Sequence, residues 1–174
     1  LSPEHWERAN RLLLRKALAE FAHERLIAPE RDGDHYVVRS DDGRIHYRFT
    51  AVRRALDHWQ VDPESLSRHR DGTELPLNAL DFFIELRQSL GLGDEILPVY
   101  LEEISSTLAS TCYKLAKPRV TSAELARRGF QEIETGMTEG HPCFVANNGR
   151  LGFGIQEYLS YAPEAARPVR LVWL

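Results

Sequence analysis

Apolar positions recur along this chain in two rhythms, one helical and one extended, and the changes of rhythm mark its elements. Ser2-Pro3-Glu4 is a helix start, with a serine cap, a proline at the first helical position and an acid near the positive end of the dipole. Trp6, Ala9, Leu13, Leu14, Ala17, Leu18 and Phe21 then repeat at helical spacing and predict a helix to about residue 26, before Pro29 forbids continuation. A core-facing helix with arginines solvating its far side explains this pattern more simply than a membrane-surface helix. From His35 the period changes to two. Tyr36-Val37-Val38 and Ile45-His46-Tyr47-Arg48-Phe49 flank Asp41-Asp42-Gly43, a hairpin signal that puts Ile45, Tyr47 and Phe49 on one face. A third strand near His58-Trp59-Gln60-Val61 is expected to join them, and Arg68-His69-Arg70-Asp71-Gly72 reads as a polar loop.

Helical spacing returns at Leu77, with Ala79, Phe83, Leu86 and Leu90 as the stripe and Gly91 as the stop. The longest pattern runs from Asp94 to Lys117, with Leu97, Leu101, Ile104, Leu108, Cys112 and Leu115 on one face. Ser105-Ser106-Thr107 in its middle points to packing against a close neighbour, with a ligand role as the alternative. After Lys117-Pro118, Thr121 and Glu124 form a capping-box signature for a helix continuing through Leu125, Phe130 and Ile133 towards Met137. A short helix is expected near Ile155 to Tyr161. Pro163 and Pro168 then bracket a linker into a final strand, Pro168 to Leu174. With no repeat, low-complexity tract or domain boundary, residues 1–174 read as a single α+β unit.

Composition changes this picture little. The 174 residues are 43% hydrophobic and 28% charged, with a net charge of −4. No basic field favours nucleic acid or an anionic membrane. No apolar run reaches transmembrane length, and the charged N-terminal segment is unlike a signal peptide. The two cysteines, Cys112 and Cys143, make neither a disulfide framework nor a zinc motif, which points to a reduced, cytoplasmic setting. Cys112 on an apolar stripe reads as a buried thiol. His35, His46 and His58 could meet on adjacent strands, but their spacing matches no ligand pattern and no metal site is expected. An apolar terminal strand without a polar tail, and a first residue other than methionine, suggest the front part of a longer protein.

Chemistry concentrates in Gly140-His141-Pro142-Cys143-Phe144-Val145-Ala146-Asn147-Asn148-Gly149-Arg150-Leu151-Gly152-Phe153. One explanation is structural: Phe144-Val145-Ala146 and Leu151-Gly152-Phe153 as short strands around an Asn148-Gly149 hairpin turn. The other is an anion site. Backbone amides at a glycine-rich turn bind anions, Arg150 can grip phosphate or carboxylate, and His141 can donate to charge developing on an acyl or phosphoryl oxygen. Neither a P-loop nor a Rossmann fingerprint is present. The residues alone leave both explanations open.

The stretch Met137 to Phe153 resembles the N-terminal signature of the siderophore synthetases that work without a nonribosomal peptide template. Leu97-Pro98-Val99-Tyr100-Leu101-Glu102-Glu103-Ile104-Ser105-Ser106-Thr107-Leu108 and Ala162 to Arg170 look like the desferrioxamine-type branch, and the likeness covers essentially the whole chain. The resemblance implies a hand-like enzyme of which this chain is the N-terminal, thumb-like lobe, with helices packed on a small antiparallel sheet. It implies ATP and magnesium as cofactors, an acyl-adenylate formed with release of pyrophosphate, and attack by an amine or hydroxyl. It also implies small-molecule carboxylate and hydroxamate amine substrates and a homodimeric full-length enzyme. His141 is carried over as the catalytic and nucleotide contact, and His141, Asn148, Gly149 and Arg150 as the nucleotide and phosphate set. The signature usually continues Gly-His-Pro with a second His-Pro and a Lys two residues before the Arg; here Phe144-Val145 and Asn148 stand in those places. The charge near the phosphates is thereby reduced by one. The chain by itself is expected to be inactive. The rival is a non-catalytic α+β binding domain whose residues 144–153 form only a hairpin.

Overall fold

In the computed structural model, residues 2–138 and 140–173 are described; Leu1, Glu139 of the signature and Leu174 of the expected terminal strand lie outside them. Helix α1 (Pro3–His23) starts where the cap signal places it, with the Ser2 hydroxyl accepting from the His5 amide at 3.2 Å. Ala9, Leu13, Leu14, Ala17 and Leu18 are buried along it, while Trp6, expected on the same stripe, is 39% exposed at its open first turn.

A sheet of five antiparallel strands follows in the order β1 (Glu30–Asp32), β2 (His35–Arg39), β3 (Ile45–Phe49), β6 (Ser67–Arg70) and β7 (Thr73–Leu75). The alternation of β3 is as expected: Ile45, Tyr47 and Phe49 are buried, and His46 and Arg48 face away. Two expectations fail here. Strand β5 (Trp59–Val61) does not join this sheet but pairs with β4 (Ala51–Arg53) as a separate ribbon. Residues 67–75 form the β6–β7 hairpin rather than a polar loop. Arg68, only 7% exposed, is tolerated in it because Asp81, 2.8 Å away, and Glu85 neutralise its guanidinium. Burial alone would lower the Arg68 pKa, but the Glu85 hydrogen bond and the surrounding negative groups leave it raised.

Helix α2 (Ala79–Glu85) is shorter than its apolar pattern, which continues through turns to Gly91 at φ +68°. Helix α3 (Leu97–Leu115) buries Ile104, Leu108 and Cys112. Both helices pack against α1 and close the core over the sheet, where Phe82 and Phe83 are wholly buried. Buried Asn10 stitches α1 to α2: its Nδ2 donates to Trp6 O at 2.9 Å and its Oδ1 accepts from the Ala79 amide at 2.8 Å.

Beyond α3 the chain thins. The single helix expected from Thr121 is two, α4 (Ser122–Leu125) and α5 (Phe130–Gly136), because Glu132 accepts from the Gly129 amide and starts a new helix there. The Thr121–Glu124 capping box is present. Helix α6 (Ile155–Tyr161) matches its expected span and runs into a 3₁₀ turn, Pro163–Ala165. The expected terminal strand is absent among the described residues. Neither edge of the five-stranded sheet receives it, and Leu171, Val172 and Trp173 lie exposed, the last at 87%. No helix of the described residues is long and apolar enough to cross a membrane. The helices packed with a small antiparallel sheet make this an α+β fold.

Candidate functional site

The 140–153 stretch is a chain of turns laid against α3, not a hairpin. The reason lies in where its amides go. Gly149 N–H donates to Ala146 O at 3.0 Å, which closes a turn. Arg150 N–H donates to the Ser106 hydroxyl at 3.1 Å and Gly152 N–H to a Glu102 carboxylate oxygen at 2.9 Å. Helix α3 therefore takes the bonds that a partner strand would have taken. Ser106 belongs to the mid-helix Ser105-Ser106-Thr107 set, and its job is to hold a close neighbour. Ser105 returns its hydroxyl to Leu101 O at 2.7 Å, and Thr107 is buried.

The approach is close enough to require glycine. A Cβ at Gly149 would stand 2.9 Å from Glu103 Cβ, 3.0 Å from its carbonyl oxygen and 3.1 Å from its Cα. At Gly140 it would meet Asn147 O at 2.6 Å. Val145 is the apolar anchor, buried in the core cluster.

Lysines complete the attachment by gripping main-chain carbonyls. Lys16 of α1 donates to His141 O at 3.0 Å, Lys114 of α3 to Thr138 O at 2.6 Å, and Lys117 to Glu164 O.

The four residues expected to form the site lie along this one strap, with different exposures. His141 is exposed. Its Nδ1 accepts from the Cys143 amide at 3.2 Å, and its ring lies 4.6 Å from that of exposed Phe144. An accepting Nδ1 places the proton of the neutral ring on Nε2, so the free edge is a donor. Asn148 is 8% exposed and donates through Nδ2 to Asn147 Oδ1 at 3.2 Å. Gly149 sits on α3, and its amide serves the turn. Arg150 turns inwards: its Nη2 donates to both oxygens of Glu164 at 2.9 and 3.1 Å, and its guanidinium lies 5.3 Å from the Tyr158 ring centroid. Arg150 Nη1 is buried without a hydrogen-bond partner.

Beneath the strap, Tyr158 shares a 3.2 Å hydrogen bond with Ser110. Burial pushes its phenol up, against the pull of that bond. Burial also raises the Cys112 thiol, which suits an inert core position. The strand histidines do not converge: His46 of β3 pairs with His69 of β6, and His58 stacks on His23 at 4.4 Å.

Sequence reasoning missed Glu164 and the three lysines. Glu164 lies 14 residues from its arginine and Lys16 lies 125 from its carbonyl, separations that leave no local signal. Only the mid-helix serines were visible as an anomaly.

With this geometry in view, the likenesses to known proteins become specific. Residues 129–174 match the IucA / IucC family, and that span contains the whole strap. Over 100% of its length the chain is 45% identical to putrebactin synthase of Shewanella sp. strain MR-4, of which it covers 28%. The structure of aerobactin synthetase IucC from Klebsiella pneumoniae superposes with a TM-score of 0.80 at 25% identity, covering 94% of this chain and 29% of that one. ATP-bound aerobactin synthetase IucA from the same organism shares the fold, with a TM-score of 0.59 at 15% identity over 90% of this chain and 28% of that one. These matches identify the chain as a relative of the siderophore synthetases that are independent of nonribosomal peptide synthetases. The chain spans less than a third of the length of the relatives it matches.

Proposed function

We propose that residues 1–174 form the N-terminal, nucleotide-facing lobe of a longer ATP-dependent, AMP-forming ligase of siderophore biosynthesis. The carrying observation is that the family match at 129–174 takes in the strap with His141 and Arg150, while the rest of the chain follows putrebactin synthase. The full-length enzyme would adenylate a carboxylate, release pyrophosphate and pass the acyl group to an amine, with desferrioxamine-type hydroxamate units as substrates. A homodimer in the cytoplasm is the expected setting, and the free thiol of exposed Cys143 agrees with a reducing compartment.

The donor set fits a polyphosphate. His141 offers an outward Nε2–H to a phosphate or acyl oxygen, while Arg150 is paired with Glu164 and would grip a phosphate on release from that pair. Asn148, replacing a lysine of the family signature, can add only a neutral hydrogen bond. Mg²⁺ would arrive on the nucleotide phosphates. The ATP-bound state of the related IucA supports the choice of nucleotide. The rival binding domain loses the hairpin on which it rested.

The test uses the full-length protein and measures pyrophosphate release with ATP, Mg²⁺ and a succinyl-hydroxamate or dihydroxamate carboxylate. Release should require the carboxylate and be absent with residues 1–174 alone. Turnover of His141→Ala and Arg150→Ala within about threefold of the parent, less than ~1 kcal/mol of barrier, would remove both residues from the site.

A further inference from the structure

His141 and Phe144 make a ring pair on the outer side of the strap. Their centroids lie 4.6 Å apart, with the ring planes inclined by 44°. Both residues are exposed, Phe144 at 66%, so the pair stands apart from the buried Arg150–Glu164 contact. Phe144 is no part of the core cluster, and among the described residues the one ring it meets is that of His141. A phenyl ring carries no hydrogen-bonding group, so its part in any chemistry comes through what it touches.

The main chain of His141 is fixed from several sides. Pro142 disfavours helical backbone at the residue before it. Lys16 of α1 donates to the His141 carbonyl at 3.0 Å, and Gly140 lies against Asn147 with no room for a Cβ. The imidazole has less to hold it. The second torsion of a histidine is broad, so rotamer preference leaves the ring plane free to swing. The Cys143 amide donates to Nδ1 at 3.2 Å, which sets the tautomer and pins one edge. A single hydrogen bond is a pivot, about which the ring can still turn. The Phe144 ring blocks that turn by filling the space beside the imidazole.

We propose that Phe144 is the positioning residue for His141, bracing the imidazole so that its outward Nε2–H is held as a donor to a substrate oxygen on which negative charge develops. The assignment rests on the role of His141 proposed above. Nδ1 is occupied by the Cys143 amide and Nε2 carries the proton, so the braced ring acts as a donor and not as a base. An imidazole freed of Phe144 would keep its proton and lose its aim.

The full-length protein tests this in two ways. Without nucleotide, the His141 ring-proton resonances, identified by their absence in His141→Ala, should be displaced by the ring current of Phe144. They should return to ordinary positions in Phe144→Ala and stay displaced in Phe144→Tyr. In pyrophosphate release, Phe144→Ala should lower kcat by about tenfold or more with KM for MgATP within about threefold, and Phe144→Tyr should stay within about threefold of the parent. Because Phe144 acts through His141, the double variant Phe144→Ala/His141→Ala should be no slower than His141→Ala alone. Hydrogen exchange at the Arg150 and Gly152 amides should be unchanged in Phe144→Ala, which separates bracing of a ring from support of the strap. Parental kcat in Phe144→Ala beside a slow His141→Ala would sink the positioning role alone. So would equal losses in the Ala and Tyr variants, additive losses in the cycle, undisplaced ring resonances in the parent, or faster exchange of those amides. A raised KM for MgATP with kcat intact would overturn it too, making Phe144 a contact of the substrate. Parental turnover in His141→Ala would sink the role of His141, and the bracing with it.

Discussion

The body, residues 2–117, and the arm, residues 118–173, are held together by different forces. The body buries whole faces of α1, α2, α3 and β3 around Leu14, Leu18, Tyr47, Phe82, Phe83, Ile104 and Leu108. Among its described residues the arm buries only Val145, Asn148, Tyr158, Ala162 and Glu164, and leaves Phe130, Phe144, Tyr161 and Trp173 open. Apart from Val145, its attachment is polar: Lys16, Lys114 and Lys117 donate to its main-chain carbonyls, and Ser106 and Glu102 accept from its amides. Apolar burial is cooperative and undirected, whereas each hydrogen bond contributes about 1 kcal/mol but fixes a direction. The candidate site lies in the region where direction is the stronger constraint.

The largest effect should come from breaking the body. Phe83→Ala removes a wholly buried ring that meets Phe21, Phe82 and Tyr100 edge-on. A loss of about 3–5 kcal/mol in denaturant unfolding is expected, with body and arm lost together. Gly149→Ala should do the opposite. Its Cβ meets the Glu103 backbone, which cannot yield, so the strap must lift from α3 at a cost of about 1–3 kcal/mol. Hydrogen exchange should show the Arg150 and Gly152 amides losing protection while β3 keeps its own. If β3 loses protection equally, the two regions are one cooperative unit and the contrast fails.

Smaller is Ser106→Ala, which deprives the Arg150 amide of its acceptor. A cost of about 1 kcal/mol is expected, read as faster exchange at that amide with an unchanged midpoint for the body. The mildest contrast is chemical. Exposed Cys143 should react with a thiol reagent at once, and buried Cys112 only after the body unfolds. The raised Cys112 pKa has a linked sign. As pH climbs through the ordinary thiol range the unfolded chain loses this proton first, so stability falls with rising pH there and is unaffected below it. Tyr100, pushed up to about 12 by burial and then by the Glu103 charge, extends the same decline from about 10 upwards. Tyr47 and Tyr158, also raised by burial, share that limb, so Tyr100→Phe should make it shallower without abolishing it.

Much of the body was legible in the chain. Leu13, Leu14, Ala17 and Leu18 keep helical spacing, and Ile45, Tyr47 and Phe49 alternate, because one buried face imposes one period. The β6–β7 hairpin was hidden because Arg68 looks solvated until Asp81 and Glu85 come beside it. Its Asp71-Gly72 turn repeats the Asp42-Gly43 signal that marked the first hairpin, and was there to be read. The arm was least legible. Asn148-Gly149 has the local chemistry of a hairpin, and only the donors and acceptors of α3 decide against one. Of the site, His141 and Arg150 stood out by residue type. Glu164 did not, since nothing near it in sequence calls for a buried acid.

The three lysine contacts carry a consequence for variation. Lys16, Lys114 and Lys117 grip peptide oxygens, and every residue of any kind supplies one. The grip is therefore blind to the side chains it holds in place. Exposed positions such as Cys143 and Phe144 can be exchanged without loosening the strap, much as a picture is changed in a frame that clasps only the mount. A library randomised at those two positions should keep its strap amides protected across most members.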